Sequence, residues 1–154
     1  SQEIWQLIKH INVAMLTTQS GEQLRARPMY QVQSKFDGTL WFITSESSAK
    51  ADELSDNKQV CLAYADVQKD VYVSLSGTAD LTPDRALIAK FWNPIAEAWF
   101  EDGSVDDDVT LLEIRVEQAQ VWDAHKNAMT LLFEQVRARL TDAPPAPGEN
   151  RKYG

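Results

Sequence analysis

LRARPMYQVQSKFDGTLWFITSESSAK, residues 24–50, holds two extended segments and a turn between them. Over Leu24–Gln33, alternate positions place Arg25, Arg27, Met29 and Gln31 on one face and Ala26, Tyr30 and Val32 on the other, the period of a strand. Pro28 cannot donate to a ladder, so it marks an edge or a bulge. Asp37-Gly38 is a hairpin signal, and Thr39–Thr44 is the strand it introduces. The stretch then changes character. Thr44, Ser45, Ser47, Ser48 and Lys50 bring four hydroxyls and a cation to the start of a short helix expected over Lys50–Ser55. Hairpins require antiparallel pairing, so the segment points to an antiparallel sheet.

The flanking sequence extends this pattern. Gln2–Ile11 has a helical period in Ile4, Leu7, Ile8 and Ile11. Val13–Thr18, Gln59–Ala65, Asp70–Leu81 and Thr110–Trp122 read as strands, with Gly77 at a bulge. Thr82-Pro83-Asp84 opens a helix with threonine as cap and proline in the first turn, and Leu87, Ile88, Phe91 and Trp92 form its buried stripe. Asn93-Pro94 interrupts that helix and restarts it through Trp99. Asn127–Leu140 has an amphipathic helical stripe in Met129, Leu132, Phe133, Val136 and Leu140. Residues 1–141 therefore read as one domain that includes this C-terminal helix, and 142–154 as a proline-rich tail. Six strands without a βαβ rhythm predict a mainly β fold, a six-stranded antiparallel barrel with flanking helices, because closure removes exposed edges.

Bulk properties narrow the function. The chain has 154 residues, 44% hydrophobic and 25% charged, the composition of one soluble domain. A net charge of -8 argues against nucleic-acid binding, which needs a basic footprint. No apolar run approaches a membrane span, and SQEIWQLIKH has no signal-peptide pattern. The single Cys61 leaves no internal disulfide framework and fits a reducing compartment, so a cytoplasmic location is expected. His10 and His125 are isolated, and no metal-ligand spacing is present, so no metal site is expected.

Two constellations carry chemistry. Thr44–Lys50 combines hydroxyls, a helix N-terminus and a cation, which is what a phosphate needs; the plainer alternative is a serine cap with a solvated Lys50. It lacks the glycines of a P-loop. Arg25 and Arg27 put two guanidinia on one strand face. They suit an anionic or electron-rich ligand, or equally a salt bridge to the acidic surface. Of the five tryptophans, Trp122 stands out, because it ends the last strand beside Asp123 and His125.

RARPMYQ, DGTLWFITSESSAK, QVCLAYAD, VYVSLSGTADL and FWNPIAEAWF follow one another here in the order found in general stress proteins. The chain resembles that group of the pyridoxamine 5′-phosphate oxidase-like superfamily over about Ile4–Trp122. The resemblance implies an FMN-binding split β-barrel that forms a homodimer with flavin at the interface. By position, Arg27, Pro28 and Met29 border the isoalloxazine, and Phe42, Ile43 and Thr44 line its ring and ribityl side. Ser48, Ala49 and Lys50 meet the phosphate, with Lys50 as main cation, and Tyr72, Ser74 and Trp122 form the partner-subunit wall. Many relatives have Ser-Arg-Lys where this chain has Ser48-Ala49-Lys50, and Arg25 is the candidate to replace the missing fork. The implied cofactor is FMN, with FAD as the alternative and deazaflavin F420 further behind. The implied function is a redox-active flavin-binding general stress protein. A non-catalytic flavin reservoir or a sensor acting through protein partners is the competing reading.

Overall fold

Alternating burial along the strands Val13–Ser20, Thr39–Ser45, Gln59–Asp66 and Val71–Thr82 gives the sheet one inward face and so builds a barrel, whereas the strand Gln23–Tyr30 is exposed at every position but Arg27 and Met29. The computed structural model describes residues 2–47, 53–55, 57–124 and 130–135. Helix α1 (Gln2–Ile8) leads into β1 (Val13–Ser20), β2 (Gln23–Tyr30), β3 (Thr39–Ser45), β4 (Gln59–Asp66) and β5 (Val71–Thr82). Helices α2 (Arg85–Phe91) and α3 (Pro94–Trp99) and a 3-10 turn (Gly103–Val105) follow, then β6 (Val109–Asp123) and β7 (Thr130–Gln135). Every pairing is antiparallel, in the order β2-β1-β4-β5-β6-β3, and β7 pairs with β6. The mainly β, split-barrel architecture is as expected. No helix among the described residues is long and apolar enough to cross a membrane.

The inward face of each strand supplies the core: Ala14 and Leu16 from β1, Leu40 and Phe42 from β3, Leu62 and Tyr64 from β4, Val73 and Leu75 from β5. Helix α1 adds Ile4, Trp5 and Ile8. A second cluster lies outside the barrel. There Ile88 of α2 meets Val109 and Leu111, with Trp41, Ile43 and Phe91 packed around them, and the Trp41 and Phe91 rings stack at 5.7 Å.

The segment quoted first folds differently from a simple hairpin. β2 and β3 share no ladder; they meet at one bridge, Gln31↔Phe42. β3 pairs instead along its whole length with β6, from Thr39↔Arg115 to Ser45↔Val109. The turn residue Gly38 does take positive φ, +104°, but the connection over 31–38 is too long to hold the two strands in register. Apart from that bridge β2 is an edge strand, which accommodates Pro28.

Three further boundaries differ from expectation. Thr82 still belongs to β5, paired with Leu111, so Asp84 rather than Thr82 caps α2, accepting from the Ala86 and Leu87 amides at 2.9 and 3.1 Å. The bulge falls at Ser76/Gly77, but the extra residue lies on β6: Ser76 faces Gln118 and Gly77 faces Val116, which leaves Glu117 unpaired. Within the expected C-terminal helix, Thr130–Gln135 is strand β7. β6 is 15 residues long, and β3 covers only its first half. Gln118–Asp123 would present bare backbone groups, and β7 pairs with them. Leu131-Leu132-Phe133 is apolar at either period, so pattern alone could not choose. The remaining positions of that expected helix, like the tail, lie outside the described residues. Of the expected helix over Lys50–Ser55, the described residues 53–55 are helical.

Candidate flavin site

Because β2 and β3 splay apart beyond their bridge, a gap opens in the barrel wall, and α3 lies across it. Asn93 caps α3 by accepting from the Ala96 amide at 2.9 Å, and Pro94 occupies its first turn. The gap encloses a cavity of about 230 Å³. Pro28, Met29, Tyr30 and Val32 form one wall, Ile43, Thr44 and Ser45 the second, and Asn93, Ile95, Ala96, Trp99 and Phe100 the roof. Among the described residues, none that lines it carries a formal charge at neutral pH. Trp99 is 71% exposed, and its ring meets Tyr30 at 6.4 Å and 55°, which leaves an aromatic edge at the rim. Behind Thr44, its ladder partner Thr110 is fully buried, and the Thr110 hydroxyl has no hydrogen-bond partner among the described residues.

Two carboxylates flank this gap. Asp108 accepts from the Ser45 hydroxyl, from the Ser47 amide at 2.8 Å and from the Ser47 hydroxyl at 2.9 Å. The Ser45 hydrogen bond, then those from Ser47, hold its carboxyl below the usual aspartate range. The first donors of the hydroxyl-rich stretch therefore already hold an anion, supplied from within the chain.

The second carboxylate is Glu53, 3% exposed, at the barrel end. Arg27 Nη2 donates to it at 2.6 Å and also to the Thr18 hydroxyl at 2.9 Å. Thr18 donates to the same Glu53 oxygen, and Arg25 Nη1 lies 3.6 Å from the other. Burial pushes the Glu53 carboxyl up, but the Thr18 and Arg27 hydrogen bonds and the two guanidinium charges outweigh it, so the group titrates below the ordinary glutamate range. Arg27 Nη1 and Glu53 Oε1 are buried without hydrogen-bond partners among the described residues.

The expected site residues thus separate into groups. Pro28, Met29, Ile43 and Thr44 line one cavity. Arg25 and Arg27 do not line it; they are engaged with Glu53, the salt-bridge alternative of the sequence reading, although the partner is buried rather than at the surface. Phe42 is a fully buried core residue at the bridge to Gln31. Ser48, Ala49 and Lys50 lie outside the described residues. Tyr72 and Trp122 are direct ladder partners on the outer face of β5 and β6, and Ser74 lies 3.4 Å from Cys61 Sγ. These three do not reach the cavity of their own chain. Sequence reasoning missed Glu53, Asp108 and the roof residues. The roof had a trace in FWNPIAEAWF, where aromatics flank a capped helix restart; the carboxylates had none, because their partners are distant in sequence.

The model of the family described as "Pyridoxamine 5'-phosphate oxidase like" matches residues 1–145. The chain belongs to that family. Protein bli-3 of Neurospora crassa is 25% identical over 150 residues, covering 90% of this chain and 72% of that protein. The general stress FMN/FAD binding protein of Xanthomonas citri is 30% identical, with a TM-score of 0.71 over 79% of this chain and 87% of that one. A protein related to general stress protein 26 from Clostridium acetobutylicum shares the fold at 21% identity, with a TM-score of 0.75 over 88% and 93% of the two chains. The pyridoxamine 5′-phosphate oxidase-like chain described here fits a flavin ring in chemical kind. Its cavity is walled mostly by apolar side chains, with Thr44, Ser45 and Asn93 as polar lining, and Thr110, the ladder partner of Thr44, has a hydroxyl without a hydrogen-bond partner among the described residues.

Proposed function

We propose that this protein binds a flavin, FMN with FAD as the alternative, with the ring in the cavity between β2, β3 and α3. One observation carries the reading: Pro28, Met29, Ile43 and Thr44, the positions that the family resemblance puts around the ring and ribityl chain, line a single cavity. Pro28 and Met29 with Ile43 form the flat apolar walls, and Thr44 and Ser45 supply the polar contacts. Lys50, with Ser48 and Ala49, takes the phosphate. A bound flavin supplies hydride or electron transfer, while the protein sets orientation, water exclusion and local charge. In this reading the protein is a redox-active general stress protein of the cytoplasm, and any turnover is that of a flavin-dependent oxidoreductase.

The flavin is proposed to lie between two copies of the chain, with Tyr72, Ser74 and Trp122 of one copy walling the site of the other. What supports this is the outer face of β1, β4 and β5. Met15 is 41% and Tyr72 39% exposed, beside the exposed small residues Ala63 and Ala65. Light scattering at micromolar concentration reads the mass; a monomer ends that part of the proposal. A second reading, a flavin reservoir or sensor without turnover, is favoured by the cavity lining, which among the described residues has no Asp, Glu, His, Lys or Arg to act as acid or base.

The test is the absorption spectrum of freshly purified protein, followed by heat release and chromatography of what comes off. Oxidised-flavin bands with FMN or FAD in the supernatant support the proposal. A colourless protein that takes up no added FMN, FAD or F420 refutes it. NAD(P)H consumption by the loaded protein separates the redox-active reading from the reservoir.

A further inference from the structure

We infer that Glu53 is a positioning residue for the flavin site, tying the helical residues 53–55 to the β1–β2 hairpin that carries Pro28 and Met29. The inference rests on the flavin reading above. A buried carboxylate is costly unless paired, and stability alone is often served as well by apolar residues of similar volume. Here the carboxylate is retained where three elements meet. Thr18 belongs to β1 and Arg27 to β2, and Glu53 is one of the described helical residues 53–55. Arg27 immediately precedes Pro28, so fixing its guanidinium also fixes the strand beneath the cavity wall.

Asp108 provides the opposite anchor. It grips Ser45 and Ser47 from the start of β6. Ser47 and Glu53 are thus each fixed by a partner distant in sequence. Among the described residues the Glu53 network also has open positions. Arg27 Nη1 and Glu53 Oε1 are a buried donor and a buried acceptor without hydrogen-bond partners among the described residues, which is unusual for a purely structural cluster. Two guanidinium charges against one carboxylate leave a net charge of +1, a local field that favours electron-rich groups nearby.

Glu53→Gln keeps the shape and removes the negative charge. Three quantities are read on it beside wild type: FMN affinity by titration of the apo protein, flavin midpoint potential by dye equilibration, and the apo melting temperature. The expected result is a loss of FMN affinity of roughly tenfold, the lower end of what losing an outer-shell partner costs at metal sites, together with an upward shift in potential. The potential rises because the arginine charges are no longer offset. A role confined to the fold would lower the melting temperature without moving the potential. Wild-type affinity and potential in Glu53→Gln overturn the inference. If that variant does not fold, Thr18→Val removes one donor to the same carboxylate and keeps the ion pair; a measurable loss of FMN affinity supports the inference, and unchanged affinity overturns it. Wild-type protein that takes up no flavin brings down the flavin reading and this inference together, whereas a flavin-binding wild type with an unaffected variant brings down this inference alone.

Discussion

Replacing Gly77 with alanine should be among the most damaging single-methyl additions to this barrel. A Cβ at Gly77 would lie 2.0 Å from the Arg115 carbonyl oxygen, 2.9 Å from its carbon and 3.2 Å from the Val116 Cα. All three atoms are backbone, so no side chain can swing aside. β5 is held by β4 on one side and β6 on the other, and Arg115 is also paired with Thr39 of β3. Reaching an ordinary contact needs a shift of about 1 Å or more in a strand fixed on both edges. Overpacking of a well-packed interior costs about 1–3 kcal/mol, and the backbone contact puts this site at the upper end. At about 2–4 °C per kcal/mol for a chain of this size, the melting temperature should fall by roughly 6–12 °C. Thermal unfolding followed by circular dichroism reads it. Gly21→Ala is the control: its φ is +58° with nothing within 4 Å of the added Cβ, so it bears only the left-handed backbone penalty of roughly 1–2 kcal/mol. A Gly77→Ala melting temperature within 2 °C of wild type, or a smaller loss than Gly21→Ala, would refute the close-approach account of the bulge.

Acid stability should depend on Glu53. Its carboxyl titrates lower in the folded chain than in the unfolded one, so its contribution is present above the ordinary glutamate range, around pH 4.3, and is lost as pH falls through the folded value. Urea unfolding from pH 7 to pH 3 should therefore lose stability less steeply for Glu53→Gln than for wild type; parallel acid limbs would contradict this. Trp99→Ala should change stability by no more than about 1 kcal/mol, a melting shift of about 2–4 °C at most, since exposed side chains matter little, yet weaken FMN binding measured by fluorescence titration. Unchanged affinity would remove Trp99 from the ring site. Lys50→Ala should weaken FMN affinity by roughly tenfold while the circular dichroism spectrum stays that of wild type, as expected for losing one phosphate cation; an unchanged titration would exclude Lys50 from the phosphate.

By itself the sequence determined the local elements. Period-two alternation placed the first six strands to within three residues at each end, the largest miss being the end of β2 at Tyr30 rather than Gln33, because side-chain period is a property of neighbours in the chain. Asn93-Pro94 announced the restart of the helix at α3, since both a cap and a first-turn proline act over a few residues. The family motifs marked Pro28, Met29, Ile43 and Thr44, which the fold gathers around one cavity. Tertiary structure decided what depends on distant partners. β3 left β2 for β6, because 31–38 is too long a link to enforce a hairpin. Thr130–Gln135 became a strand because half of β6 needed a neighbour, although its apolar run also suited a helix. The Ser45 and Ser47 hydroxyls met Asp108, 63 positions from Ser45, and Arg27 met Glu53, 26 positions away. No spacing rule spans such separations. Charge pairing is set by which side chains the folded backbone brings within hydrogen-bond reach, and that is settled only when the sheet closes.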